Sequence, residues 1–165
     1  MDKLLQAVKE GIKAELDSIN LYQHGLNNTE DDEVIKFLAN RVEEEKIHYN
    51  FLVDYYQKIC SGEDPAVEIP EIPDNYAELN TFVSKSFFTA FSQNQILFST
   101  LSLAALLEKK SMDHYRKCAE EAEVFEIKAF FNLMVEWEAK HYEEIIMIQK
   151  EAEREYWNLN QFEPF

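Results

Sequence analysis

Two Glu-x-x-His sequences, Glu45/His48 and Glu138/His141, place a carboxylate and an imidazole one helical turn apart. Side chains three residues apart on a helix share a face, so both members of each pair can reach one cation. Two further glutamates, Glu15 and Glu108, precede the Glu-x-x-His glutamates by the same interval (15 to 45, 108 to 138). All four glutamates fall in the middle of apolar seams, where a lone carboxylate is costly and four at one level repel one another. Two divalent cations relieve both problems, because four negative charges then meet four positive ones. A Glu from each of two helices, together with a Glu-x-x-His from each of two others, is the donor set of a dinuclear carboxylate site in a bundle core. The competing reading is a metal-free layer whose polar groups satisfy one another by hydrogen bonds. One Glu-x-x-His on an acidic helix favours that bland reading; two, in phase with apolar seams, favour metal.

Four long periodic segments must position these residues. The first spans about Asp2 to Leu26, with the seam Leu5, Val8, Ile12, Glu15, Ile19, Tyr22, Leu26. Its alternating steps of three and four mark one helical face. Thr29 or Asp31 can cap the second, which spans about Asp32 to Ile59 with the seam Val34, Leu38, Arg41, Glu45, His48, Leu52, Tyr55, Ile59. The third spans about Gln93 to Ala122 with the seam Leu97, Leu101, Ala104, Glu108, Ser111, Tyr115, Cys118, Ala122. The fourth spans about Val124 to Glu155 with the seam Val124, Ile127, Phe131, Met134, Glu138, His141, Ile145, Ile148, Ala152. Between the second and third, Gly62 and three prolines mark a crossover within 60–92. Sixteen extended residues at roughly 3.3 Å each reach about 50 Å, enough to travel the length of a bundle. Residues 76–92 fit either a short extra helix or an early extension of the third. The aromatic tail 156–165 is expected to dock on the bundle or on a second copy.

A shift of 93 positions (15 onto 108) superposes the halves. Glu15, Ser18 and Tyr22 fall on Glu108, Ser111 and Tyr115. Phe37, Val42 and Glu43 fall on Phe130, Val135 and Glu136; Glu45, His48 and Tyr49 fall on Glu138, His141 and Tyr142. The chain reads as two copies of one helical hairpin, 2–59 and 93–155, in one all-α domain over 1–165, with one site shared between the halves.

Composition agrees. Gly occurs three times and Pro four times, so elements are few and long. The formal net charge of −16 opposes nucleic acid and anionic membrane surfaces and favours cations. The longest weakly polar run, Gln95 to Leu107, is too short to cross a bilayer, and the start lacks the apolar run of a signal peptide, so a cytoplasmic protein is expected. Cys60 and Cys118 form no CxxC and are expected to be reduced structural thiols. Glu43, Glu44, Glu136, Glu143 and Glu144 flank the motifs and are expected to point into solvent. His24 and His114 lie off the seams and read as surface histidines. Arg41 lies near the second seam, and either it or Val42 can face inward. The phenylalanines at 82–98 read as packing.

The segments IKAELDSINLY, VEEEKIHYNFL, ALLEKKSMDHY and VEWEAKHYEEI resemble the repeated helix motifs of the ferritin-like di-iron carboxylate proteins, and most closely the rubrerythrins. The resemblance covers about residues 3–150. It implies an all-α, ferritin-like four-helix bundle with one long crossover, holding two iron ions. It further implies that Glu45 and Glu138 bridge the ions, that Glu15 and Glu108 are terminal ligands, and that His48 and His141 each bind one ion. Tyr22 and Tyr115 would hydrogen-bond to the ligands, although as residues alone they read equally well as core tyrosines. Two departures stand out. Ser111 occupies the place of a carboxylate that rubrerythrins usually carry, and no paired CxxC motifs of a rubredoxin-like domain are present. What the resemblance implies is therefore an oxidoreductase that reduces hydrogen peroxide or oxygen, as in oxidative stress, with electrons from an external rubredoxin-like donor protein, in a homodimer. The alternative is an iron-binding, ferroxidase or storage protein without efficient peroxidase turnover; a third is a scaffold without turnover. Manganese and zinc also accept these donors.

Overall fold

A computed structural model describes residues 2–62 and 83–161, and its ordered elements are all helices. They are α1 (Asp2–Leu26), α2 (Asp32–Ser61), α3 (Lys85–Gln93), α4 (Gln95–Glu121) and α5 (Phe125–Leu159). Of the two residues able to cap α2, Asp31 does so, its side chain accepting from the amides of Glu33 and Val34 at 3.0 Å each. Gly62 closes the same helix in the left-handed conformation, with φ 74°.

The long helices run antiparallel to the neighbours they touch. In α1, Gly25 lies beside Leu38 of α2 and Thr100 of α4, while Gly11 lies beside Leu52 of α2 and Tyr115 of α4. Between α2 and α5, Arg41 meets Glu144 and Tyr55 meets Phe130. Since α2 and α4 both oppose α1, they run parallel to each other. Gly62 ends α2, yet Ser84 donates from both its backbone N–H and its hydroxyl to Glu33, at the start of α2.

Residues 76–92, for which either a short helix or an early extension of the third segment was expected, include a separate helix over most of their described part. A nine-residue helix is marginal alone. Here Ser84 caps it, and Phe87 and Phe91, both fully buried, set their rings edge-on to Phe37 at 5.8 and 6.2 Å. Burying each phenylalanine contributes about 1.5–3 kcal/mol. Asn94 breaks the chain between α3 and α4. It caps α4 and also donates to the Asn28 carbonyl in the α1–α2 turn, at 3.1 Å. The crossover expected over 60–92 is thus narrower, since α2 takes residues 60 and 61 and α3 begins at Lys85; residues 63–82 lie outside the described ones. At the other end, α5 continues beyond Glu155 to Leu159, so the first part of the expected tail is helical, and Tyr156, Trp157 and Leu159 are exposed there. Val124, taken as the start of the fourth seam, is exposed too.

The core is divided. One apolar cluster gathers Tyr22, Leu38, Phe87, Leu101, Ile145 and Ile148; another gathers Val8, Leu52, Tyr55, Tyr115, Phe131 and Trp137. Along every long helix a polar stretch separates the two: Glu15 in α1, Glu45 and His48 in α2, Glu108 in α4, Glu138 and His141 in α5. Among the described residues, no helix is long and apolar enough to cross a membrane.

Candidate metal centre

The six residues singled out by type and spacing meet in this dividing layer, and none is more than 6% exposed. Each stands on the inward seam of its helix, between the two apolar clusters. Potential ligand atoms of Glu45, His48, Glu138 and His141 lie within 4.8 Å of one another. His48 Nδ1 is 3.1 Å from Glu138, 3.5 Å from Glu45 and 3.6 Å from Glu15. His141 Nδ1 is 2.9 Å from Glu45 and 4.0 Å from Glu108. Each histidine therefore makes its closest carboxylate approach to the glutamate of the other half, and Glu45 faces both imidazoles.

These atoms converge without bonding. Both oxygens of Glu45, one oxygen each of Glu108 and Glu138, and Nδ1 of both histidines are buried and make no aligned hydrogen bond. Buried polar atoms are rarely left so, and a cluster of them aimed at a common point fits a cation. The donor set, carboxylate oxygen and imidazole nitrogen, suits first-row divalent metals. The outer sides of the terminal carboxylates are satisfied: Tyr22 donates to Glu108 at 2.6 Å, and Tyr115 donates to Glu15. Both tyrosines reach across from one half of the repeat to the other, as partners that orient metal ligands do.

Electrostatics without a cation tell the same story. Burial pushes the Glu15 carboxyl up to about 7, with the negative Glu45 adding to it against the opposing pull of His48. Burial and neighbouring carboxylates also raise Glu108, and raise Glu138 well above the usual range. Burial disfavours a charged Glu45 as well, but the two histidines outweigh it and hold this carboxyl well below that range. Burial opposes charge on the histidines too, yet the carboxylates around them keep His48 well above its ordinary value and His141 at about 9. The layer thus retains protons that a pair of dications would displace.

Three expectations change. Glu44, expected in solvent, is buried, and its Oε2 lies 3.2 Å from His141 Nε2. Arg41 explains why: it is buried together with Val42, and its guanidinium meets Glu44 at 2.5 Å and Glu144 at 3.1 Å. A guanidinium at a seam position needs carboxylate partners, so Arg41 was itself the signal for Glu44, its neighbour one turn on, and for Glu144 across the interface. Glu43, Glu136 and Glu143 are exposed as expected, whereas Glu144, also expected in solvent, is largely buried against Arg41. His114, expected at the surface, is half-buried and joins α4 to α1, with Nε2 2.9 Å from the Ala7 carbonyl and Nδ1 3.6 Å from Glu10. Cys118 lies 3.8 Å from the same Nε2, which gives the outline of a Cys–His–Glu triad. That nitrogen faces a carbonyl, and burial pushes the thiol up to about 11, so no thiolate nucleophile forms. Trp137, which sequence reasoning did not single out, stacks on His48 with ring centroids 4.7 Å apart. Ser111 is buried in the layer, as is its repeat mate Ser18.

The arrangement is thus a buried carboxylate–histidine cluster, able to hold metal and insulated by apolar clusters on both sides. Neither a family model, nor a curated protein, nor a solved structure matches this chain.

Proposed function

We propose that this chain is a rubrerythrin-like, non-haem di-iron protein: a ferritin-like four-helix bundle of two hairpins, α1–α2 and α4–α5, joined by one long crossover. The observation that carries the reading is the convergence of unbonded, buried carboxylate oxygens and imidazole nitrogens on one point. Glu15, Glu45, His48, Glu108, Glu138 and His141 would hold two ions. When bound, the ions supply the electron chemistry that reduces hydrogen peroxide or oxygen. The chain's own residues hold and insulate. Tyr22 and Tyr115 fix the outer carboxylates, and the two apolar clusters limit water at the site. Electrons come from a separate, rubredoxin-like donor protein.

Ser111 favours a second reading. A serine stands where rubrerythrins carry a further carboxylate, which leaves a six-ligand set closer to a ferroxidase or iron-binding protein. One series of measurements separates the two. Metal-free protein given ferrous iron without oxygen should bind two ions per chain, and E45Q should bind neither tightly. Reduced protein supplied with a rubredoxin-like donor should then consume peroxide over many turnovers. Accumulation of many irons per chain, with no sustained peroxide consumption, would establish the second reading instead. Failure of the wild-type chain to bind iron, manganese or zinc would end both.

A further inference from the structure

The repeat that builds the site is broken at one place within reach of the histidines. Behind His141 stands an ionic group: Glu44 at Nε2, held by Arg41, which is held in turn by Glu144. Shifting each of these by one repeat (41 to 134, 44 to 137, 144 to 51) gives Met134, Trp137 and Phe51. Those three lie in the opposite corner, behind His48. Trp137 covers the His48 ring at an interplanar angle of 10°, and Phe51 lies 5.4 Å from Trp137. The Trp137 indole N–H is buried and makes no hydrogen bond. The carboxylates that approach His48 all do so at Nδ1, the side facing the cluster. Two imidazoles in equivalent positions therefore have opposite backing, one anionic and one aromatic.

We propose that Glu44 is a positioning residue that makes the two metal positions inequivalent, and that the position served by His141 binds its ion first and more tightly. The proposal rests on the metal-binding reading above. A carboxylate 3.2 Å from Nε2 is placed to accept its proton; that would fix the tautomer that leaves the Nδ1 lone pair free for an ion, fix the ring's orientation, and make the imidazole a stronger donor. Arg41 holds the buried Glu44 carboxyl in place at 2.5 Å. On the His48 side, stacking fixes the ring plane but adds no charge. Loading should therefore proceed in two steps.

The experiment is an anaerobic titration of metal-free protein with cobalt(II), followed by visible absorption and by calorimetry. Wild type is expected to bind two ions in steps at least about tenfold apart. E44Q keeps the side chain's shape and loses its charge; it should weaken the first step roughly 10- to 100-fold, leave the second in place, and so merge the two. E44D should restore part of the separation. H141A should remove the tight step and H48A the weak one. A merely structural role for Glu44 would weaken both steps together, and that result overturns the proposal, as does an E44Q titration identical to wild type. If E44Q does not fold, the histidine pair decides: loss of the tight step in H48A, with the tight step kept in H141A, overturns the assignment. Two equal steps in wild type refute the inequivalence while leaving the metal reading intact. No cobalt bound by wild type removes both.

Discussion

Raising the pH should destabilise the metal-free protein, and His141 gives the scale. Its imidazole titrates at an ordinary 6.5 when unfolded and at about 9 in the folded layer, where burial disfavours its charge but Glu45 and Glu44 outweigh burial. A group that binds its proton more tightly when folded contributes its full stabilisation below the unfolded value, here below 6.5. That stabilisation is lost as the pH rises through about 9. At about 1.4 kcal/mol per tenfold, the difference amounts to roughly 3 kcal/mol. His48 moves in the same direction. Glu15, raised from 4.5 to about 7 chiefly by burial, acts in the same direction at lower pH: its contribution is present in full below 4.5 and is lost as the pH rises through about 7. Glu45 opposes the trend only in acid: its depressed carboxyl contributes stability above 4.5 that disappears as the pH falls. Domains of this size are held by about 5–15 kcal/mol, so the alkaline loss is a large share of the whole.

The assay is urea unfolding in excess chelator at pH 6.5, 7.5 and 9. With about 1–3 kcal/mol lost per molar urea, a loss of roughly 3 kcal/mol lowers the midpoint by about 1–3 M. H141Q cannot titrate at this position and should lose its own share of the alkaline slope, the remainder staying with His48, and should start from a lower midpoint at pH 6.5. Metal-loaded protein should show the reverse slope, because ions bind ionised carboxylates and neutral imidazoles, and protons compete with them. A chelated wild-type midpoint that holds steady from pH 6.5 to 9, or an H141Q variant with the full wild-type slope, would refute the idea that the layer balances its charge by retaining protons.

Two further predictions concern the groups around the layer. Y22F and Y115F each remove a hydroxyl that donates to a buried carboxylate, Glu108 and Glu15 respectively; each should cost about 1–3 kcal/mol in chelated protein, read by urea midpoint, and an unchanged midpoint would mean that these contacts do not hold the carboxylates. G11A should destabilise although alanine is the better helix former, because its Cβ would lie 2.9 Å from the Tyr115 hydroxyl and 3.3 Å from Leu52; overpacking of about 1–3 kcal/mol exceeds the roughly 1 kcal/mol gain in propensity, and a higher melting temperature in G11A would contradict this.

The parts of this molecule that were legible beforehand are those in which a residue violates its surroundings. Glutamates in the middle of apolar seams announced a layer, and the Glu-x-x-His interval announced its chemistry, because both depend on helical period alone. Helix ends were harder. Nothing in the period distinguishes α3 from an extension of α4; the break at Asn94 depends on its contacts with the α4 amides and with Asn28, residues that come together only in the folded chain. Glu44 was misplaced for a related reason. It flanks a motif on an acidic helix, where solvation is the usual fate, and only the approach of α5 puts His141 beside it. The repeat, by contrast, was legible as identities but not as geometry, since a shift in numbering does not say how two halves pack.

That geometry explains why the site lies where it does. The shift of one repeat exchanges the two apolar clusters: Tyr22, Leu38 and Ile145 belong to one, and their mates Tyr115, Phe131 and Leu52 to the other. A twofold relation that exchanges the ends of the helices leaves only their middle in common. Residues that must serve both halves have to lie there, which is where all four central glutamates stand. Cross-partnering follows from the same relation: Tyr22 donates to Glu108 as Tyr115 donates to Glu15, and His48 approaches Glu138 as His141 approaches Glu45. If the halves were separate identical chains, this symmetry would be obligatory and both histidines would have the same backing. Joined in one chain, each half can change alone. Arg41, Glu44 and Glu144 against Met134, Trp137 and Phe51 are such a change, made beside the two histidines while the six central residues keep their symmetry.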